Sequence, residues 1–464
     1  MGLKRPCFFD RLLLDKRNHA SRDRSGGNNV LKKSLSLCLT VLLALVWLAP
    51  GARALEAPHI DAKGAIVGEV TTGSIIYELN ADTQLYPAST TKIMTAILAL
   101  ENCEPYDVIT VSKSALDGLA DQGSSIMLKE GEKMAFMDML KYLLVSSGND
   151  AANALAEHVS GSVSAFVELM NKKAQELGCT NTHFSNPHGL HDDNHYTTAR
   201  DLLKIAEYAM RNETFAEIVM IDRTQLAATN MRDQQTISST NHLISRWRSR
   251  DYYYEGAIGI KTGSTTPAGL CLVSGVRSGD LTYITVVLGA SKLEDGTMGS
   301  FTETIKLLDY AKKGFSVQPL ATAADPVAEA EVALGRDADA VTLIPARGVT
   351  ALLPVDFDTK DVVMDCRVQP DVKAPVEKGD VLGTVTYYYN GHEYDTVDLV
   401  AAASIKRSTW LYIVDTIVSI FSSTLFKVVI GLLVLTVLVV ILIAAVARRG
   451  RRRRSRQYRG RRRR

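Results

Sequence analysis

Three short motifs with residues suited to acyl transfer follow one another along the 464-residue chain. They are Ser89-Thr90-Thr91-Lys92, Ser147-Gly148-Asn149 and Lys261-Thr262-Gly263. Residues three apart share one face of a helix, so the Ser89 hydroxyl and the Lys92 amine can meet as a nucleophile and its base. Each motif alone has an ordinary structural explanation: a helix cap with a solvated lysine, a turn between helices, and the end of a strand. Their occurrence together points to a serine nucleophile.

Each motif falls at a point where the sequence pattern predicts a change of element. Pro87 suits a first helical turn, and apolar residues at helical spacing follow it from Ile93 to Leu100, so we predict that a buried helix begins here. A helix over 136–145 ends at the second motif, and another begins at Ala151. The third motif continues a strand over 257–264.

Strands at both ends of this region surround a helical middle. We predict a hairpin over 65–79 and strands over 270–276 and 281–290. Helices are predicted over 166–177 and 301–314, and another helix is predicted to begin after an N-cap at Thr198. The sheet must therefore combine N-terminal and C-terminal parts of the chain. The fold class is α+β, with helices packed on an antiparallel sheet.

The net charge of +2 is unevenly distributed along the chain. The first 54 residues hold ten Lys/Arg and three Asp/Glu, and the segment after Ala447 holds twelve Arg and no acid. The remainder has 31 basic and 48 acidic residues. An acidic body with basic ends argues against nucleic acid as a partner, and indicates signals for membrane topology instead.

Two apolar segments fit those signals. Lys32-Lys33, an apolar run over 35–49 and an A-x-A exit predict a signal peptide cut after Ala54. The uncharged segment over 428–447 is long enough for a transmembrane helix. By the positive-inside rule, the Arg-rich tail over 448–464 is cytoplasmic and the body extracytoplasmic, in a single-pass protein of the cell membrane that contacts membrane lipid.

The chain between the predicted signal peptide and the predicted transmembrane helix divides into several segments. We predict a catalytic domain over 55–318, an Ala/Asp/Pro-rich linker over 319–332 and a small β-rich domain over 333–404. Its strands lie over 340–344, 362–364, 381–389 and 396–400, with a turn at Asn390-Gly391. Apolar residues at helical spacing predict an interfacial juxtamembrane helix over 405–427; an extension of the β-rich domain is the alternative.

The motifs, with their flanking residues, resemble those of the low-molecular-weight penicillin-binding proteins that are D-alanyl-D-alanine carboxypeptidases, the S11 serine peptidases. The likeness includes Tyr86-Pro87-Ala88-Ser89-Thr90-Thr91-Lys92, Ser147-Gly148-Asn149-Asp150-Ala151-Ala152, Asn186-Pro187-His188-Gly189-Leu190 and Gly259-Ile260-Lys261-Thr262-Gly263. It implies a serine β-lactamase/penicillin-binding-protein-like fold that releases the terminal D-Ala of peptidoglycan pentapeptide stems and is acylated by β-lactams. The small β-rich domain and C-terminal anchor fit the same layout.

The resemblance also implies a role for each motif residue. Ser89 is the nucleophile, Lys92 its base with a pKa lowered by burial and by Lys261, and Ser147 relays a proton to the leaving amine. The substrate-binding residues are Asn149, Lys261, Thr262, Gly263 and Ser264, and the backbone N–H groups of Ser89 and Ser264 form the oxyanion hole. Gly263 lets the substrate lie along the strand edge.

Other functions and residues remain as alternatives. A serine β-lactamase, a D,D-endopeptidase or transpeptidase of the same fold, and a catalytically silent wall-binding scaffold share parts of this pattern. We expect structural roles for His188 and Arg200. Cys103, Cys179, Cys271 and Cys366 form no metal-binding spacing, so no metal and no cofactor is predicted, and their disulfide pairing stays open.

Overall fold

The computed structural model describes residues 55–119, 123–389 and 391–460. The predicted signal peptide and Asn390 of the predicted turn lie outside these ranges. The chain divides into two compact units. The first extends to Gln318 and also includes Leu352–Phe357, and the second comprises Pro319–Ala351 and the residues from Asp358 onward.

The first unit has an α+β fold, as predicted. Its strands are β1 Gly64–Glu69, β2 Ile75–Leu79, β3 Val108–Thr110, β4 Lys133–Ala135, β5 Arg223–Leu226, β6 Gln235–Ser238, β7 Ala257–Thr265, β8 Gly269–Ser278 and β9 Leu281–Ala290. Its helices are α1 Lys92–Asn102, α2 Phe136–Val145, α3 Asn149–Ser160, α4 Val163–Glu176, α5 Ala199–Met210, α6 Glu213–Val219 and α7 Gly299–Gly314.

A five-stranded sheet combines the two ends of this unit in the order β2-β1-β9-β8-β7, with every pair antiparallel. β1 is buried along its whole length because both faces of the sheet are covered. Ile66 and Val286 face a core shared with the helical middle, whereas Val67 and Val287 face a second core with α7. This alternation is the reason that β1 and β9 are nearly continuous apolar runs.

Local sequence signals explain several of the helix starts. The side chain of Thr198 accepts a hydrogen bond from the Asp201 N–H, so Thr198 is the N-cap of α5, as predicted. Ser162 caps α4 in the same way through the Ala165 N–H, and α4 begins three residues before the predicted start. The helix expected directly after Pro87 is different: a 3-10 turn covers Ala88–Thr91, and α1 begins only at Lys92.

The chain after α7 is mostly β-structure. Its strands are β10 Phe315–Ala321, β11 Ala328–Ala333, β12 Ala340–Pro345, β13 Val349–Pro354, β14 Val362–Val368, β15 Val372–Lys373, β16 Val381–Tyr389 and β17 His392–Ala401. Six of them form a sheet in the order β14-β16-β17-β12-β11-β15, and β10 pairs with β13. The expected small all-β domain is therefore present.

The predicted linker over 319–332 is wrong at the level of secondary structure. β10 extends to Ala321 and β11 begins at Ala328, which leaves six residues between them. Within β11, Ala330 and Val332 are buried while Glu329 and Glu331 are exposed. Because one of the inward positions is only an alanine, the alternation of apolar and polar residues that marks a strand is weak here. The acidic residues at the outward positions add to the composition expected of a linker.

Two helices follow the second sheet, α8 Thr409–Ser422 and α9 Thr424–Gly460. The segment Thr424–Arg449 is long and apolar enough to cross a membrane, with a mean hydropathy of 3.3 over its most apolar window. At about 1.5 Å per residue it exceeds the roughly 30 Å of a bilayer core. Large apolar side chains of α8 are exposed as well, including Trp410, Ile417 and Phe421.

Candidate active site

The Ser89 side chain is presented by a tight turn. Ala88, directly before it, has φ of +49°, a left-handed conformation that alanine rarely adopts. The Thr91 hydroxyl donates a hydrogen bond of 2.8 Å to the Ala88 carbonyl and stabilises this turn. Ser89 therefore lies in the 3-10 turn that leads directly into α1, three residues before the helix starts at Lys92.

The Lys92 amine lies completely buried beneath Ser89. Its Nζ is 3.0 Å from the Ser89 Oγ, 2.7 Å from the Asn149 Oδ1 and 2.6 Å from the His188 carbonyl oxygen. Two acceptors besides the serine fix the position of the nitrogen. The remaining contact of the Lys92 Nζ is with the Ser89 Oγ, the hydroxyl that Lys92 would deprotonate.

Burial lowers the pKa of Lys92 well below its ordinary value, and the positive charge of Lys261 lowers it further, while Asp150 raises it. This result confirms the two causes expected from the sequence. Lys261 is itself 1% exposed, and burial lowers its pKa to about 7. A neutral Lys92 is able to accept the serine proton.

The second motif forms a strained corner between α2 and α3. Ser147 is buried and has φ of +68°. The Asn149 N–H donates 2.9 Å to the Ser124 carbonyl, and its side chain contacts Lys92. Gly148 packs on the Tyr142 ring so closely that an added Cβ would lie 2.4 Å from a ring carbon. Strain at such a corner is typical of functional sites.

A buried carboxylate supports this corner from behind. Asp150 accepts hydrogen bonds from the Tyr142 hydroxyl at 2.7 Å, the Ser125 hydroxyl at 2.6 Å and the Leu128 N–H at 3.0 Å. Burial, followed by the Asp150 charge, raises the pKa of Tyr142. Asp150 thus connects the segment after residue 123 to the helix that carries Asn149.

The third motif lies on β7, next to the Ser89 turn. The Thr262 and Thr240 hydroxyls are 2.6 Å apart. A Cβ on Gly263 would lie 2.9 Å from the Pro87 carbonyl oxygen and 3.0 Å from the Ser89 nitrogen. Glycine is therefore required for β7 to approach the Ser89 turn, a reason that differs from the predicted approach of substrate.

The loop with His188 contributes a backbone group. The His188 carbonyl accepts from Lys92, and its Nδ1 accepts a hydrogen bond from the Leu190 N–H at 3.1 Å. Burial lowers the pKa of His188 to about 3, so the ring is neutral. Gly189, with φ of +86°, passes so close to Ala88 that a Cβ would lie 1.9 Å from the Ala88 oxygen.

A second buried histidine holds the other side of the turn. The Ser185 N–H donates to the His195 Nδ1 at 3.0 Å, which leaves Nε2 as the protonated nitrogen of the neutral ring. Nε2 donates to the Thr91 hydroxyl over 2.8 Å. Burial lowers the pKa of His195 to about 4, in agreement with this assignment.

One cleft brings the motifs together. Its lining includes Ser89, Ser147, Asn149, Thr262, Gly263 and Ser264 among the predicted site residues. Lys92 and Lys261 lie behind this lining: the Lys261 Nζ donates 3.1 Å to the Thr262 carbonyl. Arg200 lies elsewhere, in ion pairs of 2.8 Å with both Glu78 and Asp82, which fits the structural role expected for it.

Several residues that line the cleft lie outside the sequence motifs and were not predicted. Arg248 lines the cleft and donates from Nη1 to the Ser239 carbonyl at 2.5 Å. His242 and Phe301 also line it, stacked with ring centroids 5.0 Å apart. Of the described residues that line the cleft, Arg248 carries the one permanent positive charge. The signal for Arg248 in the sequence was only its place in a basic loop before β7.

Comparison with known proteins matches both units. The family model for D-alanyl-D-alanine carboxypeptidase matches residues 52–292, and that for the penicillin-binding protein 5 C-terminal domain matches residues 315–407. The D-alanyl-D-alanine carboxypeptidase DacF of Bacillus subtilis is 32% identical over 390 residues, which are 82% of this chain and 96% of DacF. The D-alanyl-D-alanine carboxypeptidase DacC of Escherichia coli is 32% identical over 76% of this chain and 86% of DacC.

Solved structures are also similar to this chain. Penicillin-binding protein 5 of Haemophilus influenzae has a TM-score of 0.57 and 29% identity, over 76% of this chain and all of that one. The Streptomyces K15 DD-transpeptidase has a TM-score of 0.50 and 34% identity, over 55% of this chain and 98% of that one.

Proposed function

The chain belongs to the D-alanyl-D-alanine carboxypeptidase family of serine peptidases, the S11 family, and we propose on this basis that Ser89 is the residue acylated during its reaction. The protein is a serine-type D-Ala-D-Ala carboxypeptidase. Its family acts on peptidoglycan stem peptides that end in D-Ala-D-Ala and binds β-lactams.

The observation that carries the mechanism is the buried Lys92 amine at 3.0 Å from the Ser89 Oγ. Asn149 and the His188 carbonyl hold the nitrogen in place, and its lowered pKa favours the neutral form. A neutral amine within hydrogen-bond distance satisfies both conditions for a general base, first geometry and then pKa.

Acylation then follows from the arrangement of the cleft. Lys92 takes the Ser89 proton while Oγ attacks the carbonyl carbon of the penultimate D-Ala, and the tetrahedral oxyanion is bound by the N–H groups of Ser89 and Ser264. The C–N bond breaks, and the leaving amine receives a proton through Ser147. Free D-Ala departs and an ester to Ser89 remains, which water hydrolyses to release the tetrapeptide stem.

We assign recognition of the terminal carboxylate to Arg248, assisted by Thr262 and Ser264. The family resemblance implied that Lys261 binds substrate, but its amine is buried and hydrogen-bonded to the Thr262 carbonyl. Arg248 instead lines the cleft beside His242 and Phe301. A guanidinium binds a carboxylate with two parallel hydrogen bonds, and a carboxypeptidase requires that free carboxylate. Lys261 acts mainly through its charge on Lys92.

Acylation of Ser89 is tested on the full chain in detergent. Incubation with penicillin should add one adduct mass to the peptide that contains Ser89, and a pentapeptide ending in D-Ala-D-Ala should release D-Ala. Ser89→Ala should lose both, whereas Ser74→Ala, in an exposed turn, should keep both. Retained acylation in Ser89→Ala would refute the assignment.

The same experiment separates the alternatives. An amine acceptor added with the substrate measures transpeptidation, the activity for which the Streptomyces K15 DD-transpeptidase is named. Rapid release of the penicillin adduct would instead indicate a β-lactamase, and absence of any adduct a silent scaffold. We expect a slowly released adduct and hydrolysis as the main fate of the peptide acyl-enzyme.

The role of Arg248 is tested by changing the substrate charge. Arg248→Ala should lower kcat/KM for a peptide with a free terminal carboxylate about 10-fold to 100-fold, the cost of one lost charged contact. It should have little effect on the same peptide with an amidated terminus. Arg246→Ala, a nearby exposed arginine that stacks on Tyr253, is the matched control. Equal losses with both substrates would contradict carboxylate recognition.

We propose that Thr424–Arg449 is a transmembrane anchor, with α8 at the lipid interface and the Arg-rich tail in the cytoplasm. Exposed apolar residues cover both helices, and the positive-inside rule sets the direction. Protease added to intact cells should then remove the catalytic unit and spare a tag placed after Arg464. Loss of the tag with a protected catalytic unit would reverse the proposed topology.

A further inference from the structure

Three side chains with metal-binding atoms meet outside the cleft, in the first unit. The Cys103 Sγ, an Asp107 carboxylate oxygen and a His158 ring nitrogen all lie within 4.8 Å of one another. The His158 Nε2 and the Asp107 Oδ2 are 3.7 Å apart, which is too far for a hydrogen bond. A partly exposed ion pair at that distance contributes little to stability, so it does not explain the convergence.

Two packed helices bring this cluster together. Cys103 is the C-cap of α1, and His158 lies in the last turn of α3. The opposite ends of the same helices carry Lys92 and Asn149. With a rise of about 1.5 Å per residue, the cluster is roughly 15 Å along α1 from the reacting groups. It is therefore a site distinct from the cleft.

The chemistry of the donor set favours a transition metal of borderline softness. Thiolate, imidazole and carboxylate are the three ligand types of zinc proteins, and three protein ligands leave a tetrahedral position for water. The C-termini of α1 and α3 add partial negative charge, which favours a cation. The Glu104 N–H donates 2.9 Å to the Asp107 Oδ2 and orients that carboxylate.

We propose that Cys103, Asp107 and His158 form a Zn²⁺ site. When the ion binds, the Cys103 S–H bond breaks, an S–Zn bond forms and the proton passes to solvent. The ligand atoms, which all lie within 4.8 Å of one another, need to approach by at most about 1 Å to reach the usual tetrahedral distances. The ion then connects the distal ends of the two helices whose other ends hold Lys92 and Asn149. The proposal departs from the sequence-based prediction of no metal, which considered only local spacing, whereas the third ligand is 51 residues beyond Asp107.

The test uses the full chain in detergent, with no polyhistidine tag and after chelation of bound metal. Titration with Zn²⁺ should give one site per chain by calorimetry, and Zn²⁺ should raise the melting temperature. Titration with Co²⁺ should produce a thiolate-to-cobalt charge-transfer band. Cys103→Ser should abolish the band and weaken Zn²⁺ binding by 10-fold or more, whereas Cys366→Ser, in the second unit, should change neither.

His158→Asn is a second variant that removes a ligand without touching a half-buried thiol. It should also weaken Zn²⁺ binding at least 10-fold while keeping the metal-free melting temperature, which shows that the variant is folded. No Zn²⁺ binding to the unvaried chain, or equal binding and an unchanged cobalt band in Cys103→Ser, would overturn the proposal. Because no substrate is used, failure here would leave the Ser89 assignment unaffected, and failure of that assignment would leave this one intact.

Discussion

The two units of the chain bury their residues in different ways. In the first unit, buried polar and charged side chains include Lys92, Asn149, Asp150, His195 and Lys261. Within the part of the second unit that the structure describes, buried side chains belong to apolar residues and tyrosine. Burial of a polar group costs free energy unless it is hydrogen-bonded, so the first unit depends on the internal hydrogen bonds of these side chains in a way that the second does not. Lys92, Asn149 and Lys261 lie at or directly behind the cleft in which we propose that the reaction takes place.

The largest expected effect comes from removing the buried amine. Lys92→Met keeps most of the side-chain volume but removes the base, so kcat/KM for D-Ala release should fall about 10²- to 10⁴-fold. Steady-state kinetics on the full chain measure this loss. Lys113→Met, on an exposed lysine, should retain activity. Near-normal acylation in Lys92→Met would show that the buried amine is not needed for the reaction, and the burial of polar groups in the first unit would then have no link to catalysis.

A backbone change should separate close packing from conformational strain. Gly189→Ala places a Cβ 1.9 Å from the Ala88 oxygen, whereas Gly178→Ala, also at positive φ, has open space around it. Gly178→Ala should cost about 1–2 kcal/mol of unfolding free energy, the usual penalty of a left-handed alanine. Gly189→Ala should cost several-fold more and displace the Ser89 turn. Equal denaturation midpoints for the two variants would contradict this.

The second unit should respond in stability and leave catalysis unchanged. Leu399 is fully buried in the core of the six-stranded sheet, so Leu399→Ala should destabilise that unit by about 2–5 kcal/mol. The change in denaturation is measured beside kcat/KM, which we expect to stay within two-fold. Val381→Ala, at a 54% exposed position, is the control and should have a small effect. A large activity loss in Leu399→Ala would mean that the units are functionally coupled.

The smallest effect is a shift in pH dependence. Lys261 lowers the pKa of Lys92 through its positive charge, so Lys261→Met should raise the pKa of Lys92. The base form of Lys92 is the deprotonated one, and activity increases with pH through that pKa. The acidic limb of the kcat/KM profile should therefore move to higher pH in Lys261→Met and stay in place in Lys63→Met. A shift to lower pH would exclude this electrostatic role.

The sequence predicted the motif residues because their chemistry requires particular side chains at particular spacings. Ser89, Ser147 and Thr262 do line one cleft, and the α+β fold with its composite sheet is confirmed. The supporting groups escaped prediction. The acceptor at His188 is a backbone carbonyl, which any residue could supply, and the Thr91–His195 contact joins positions 104 apart.

The wrong prediction of a linker before the β-rich domain had a different cause. The segment over 319–332 has the composition of a linker, but strand pairing with neighbours overrides that local preference. The same limit applies to Arg248 and to the Cys103 cluster, because their meaning depends on which distant residues lie beside them. Side-chain type is readable from the chain, whereas proximity between distant segments is a property of the fold.

The antiparallel pairing of β1 with β9 has a consequence for the order of folding. Ile66 pairs with Val286, so the central sheet joins residues that are 220 positions apart. Contacts of such long sequence separation form slowly, because loop closure must precede them. A ribosome releases Ser89 and Lys92 long before Lys261 and β9. Ser89, the nucleophile that we propose, therefore cannot acquire the surroundings that include Lys261 until almost the whole first unit has been synthesised, and we expect a chain truncated before β7 to be inactive.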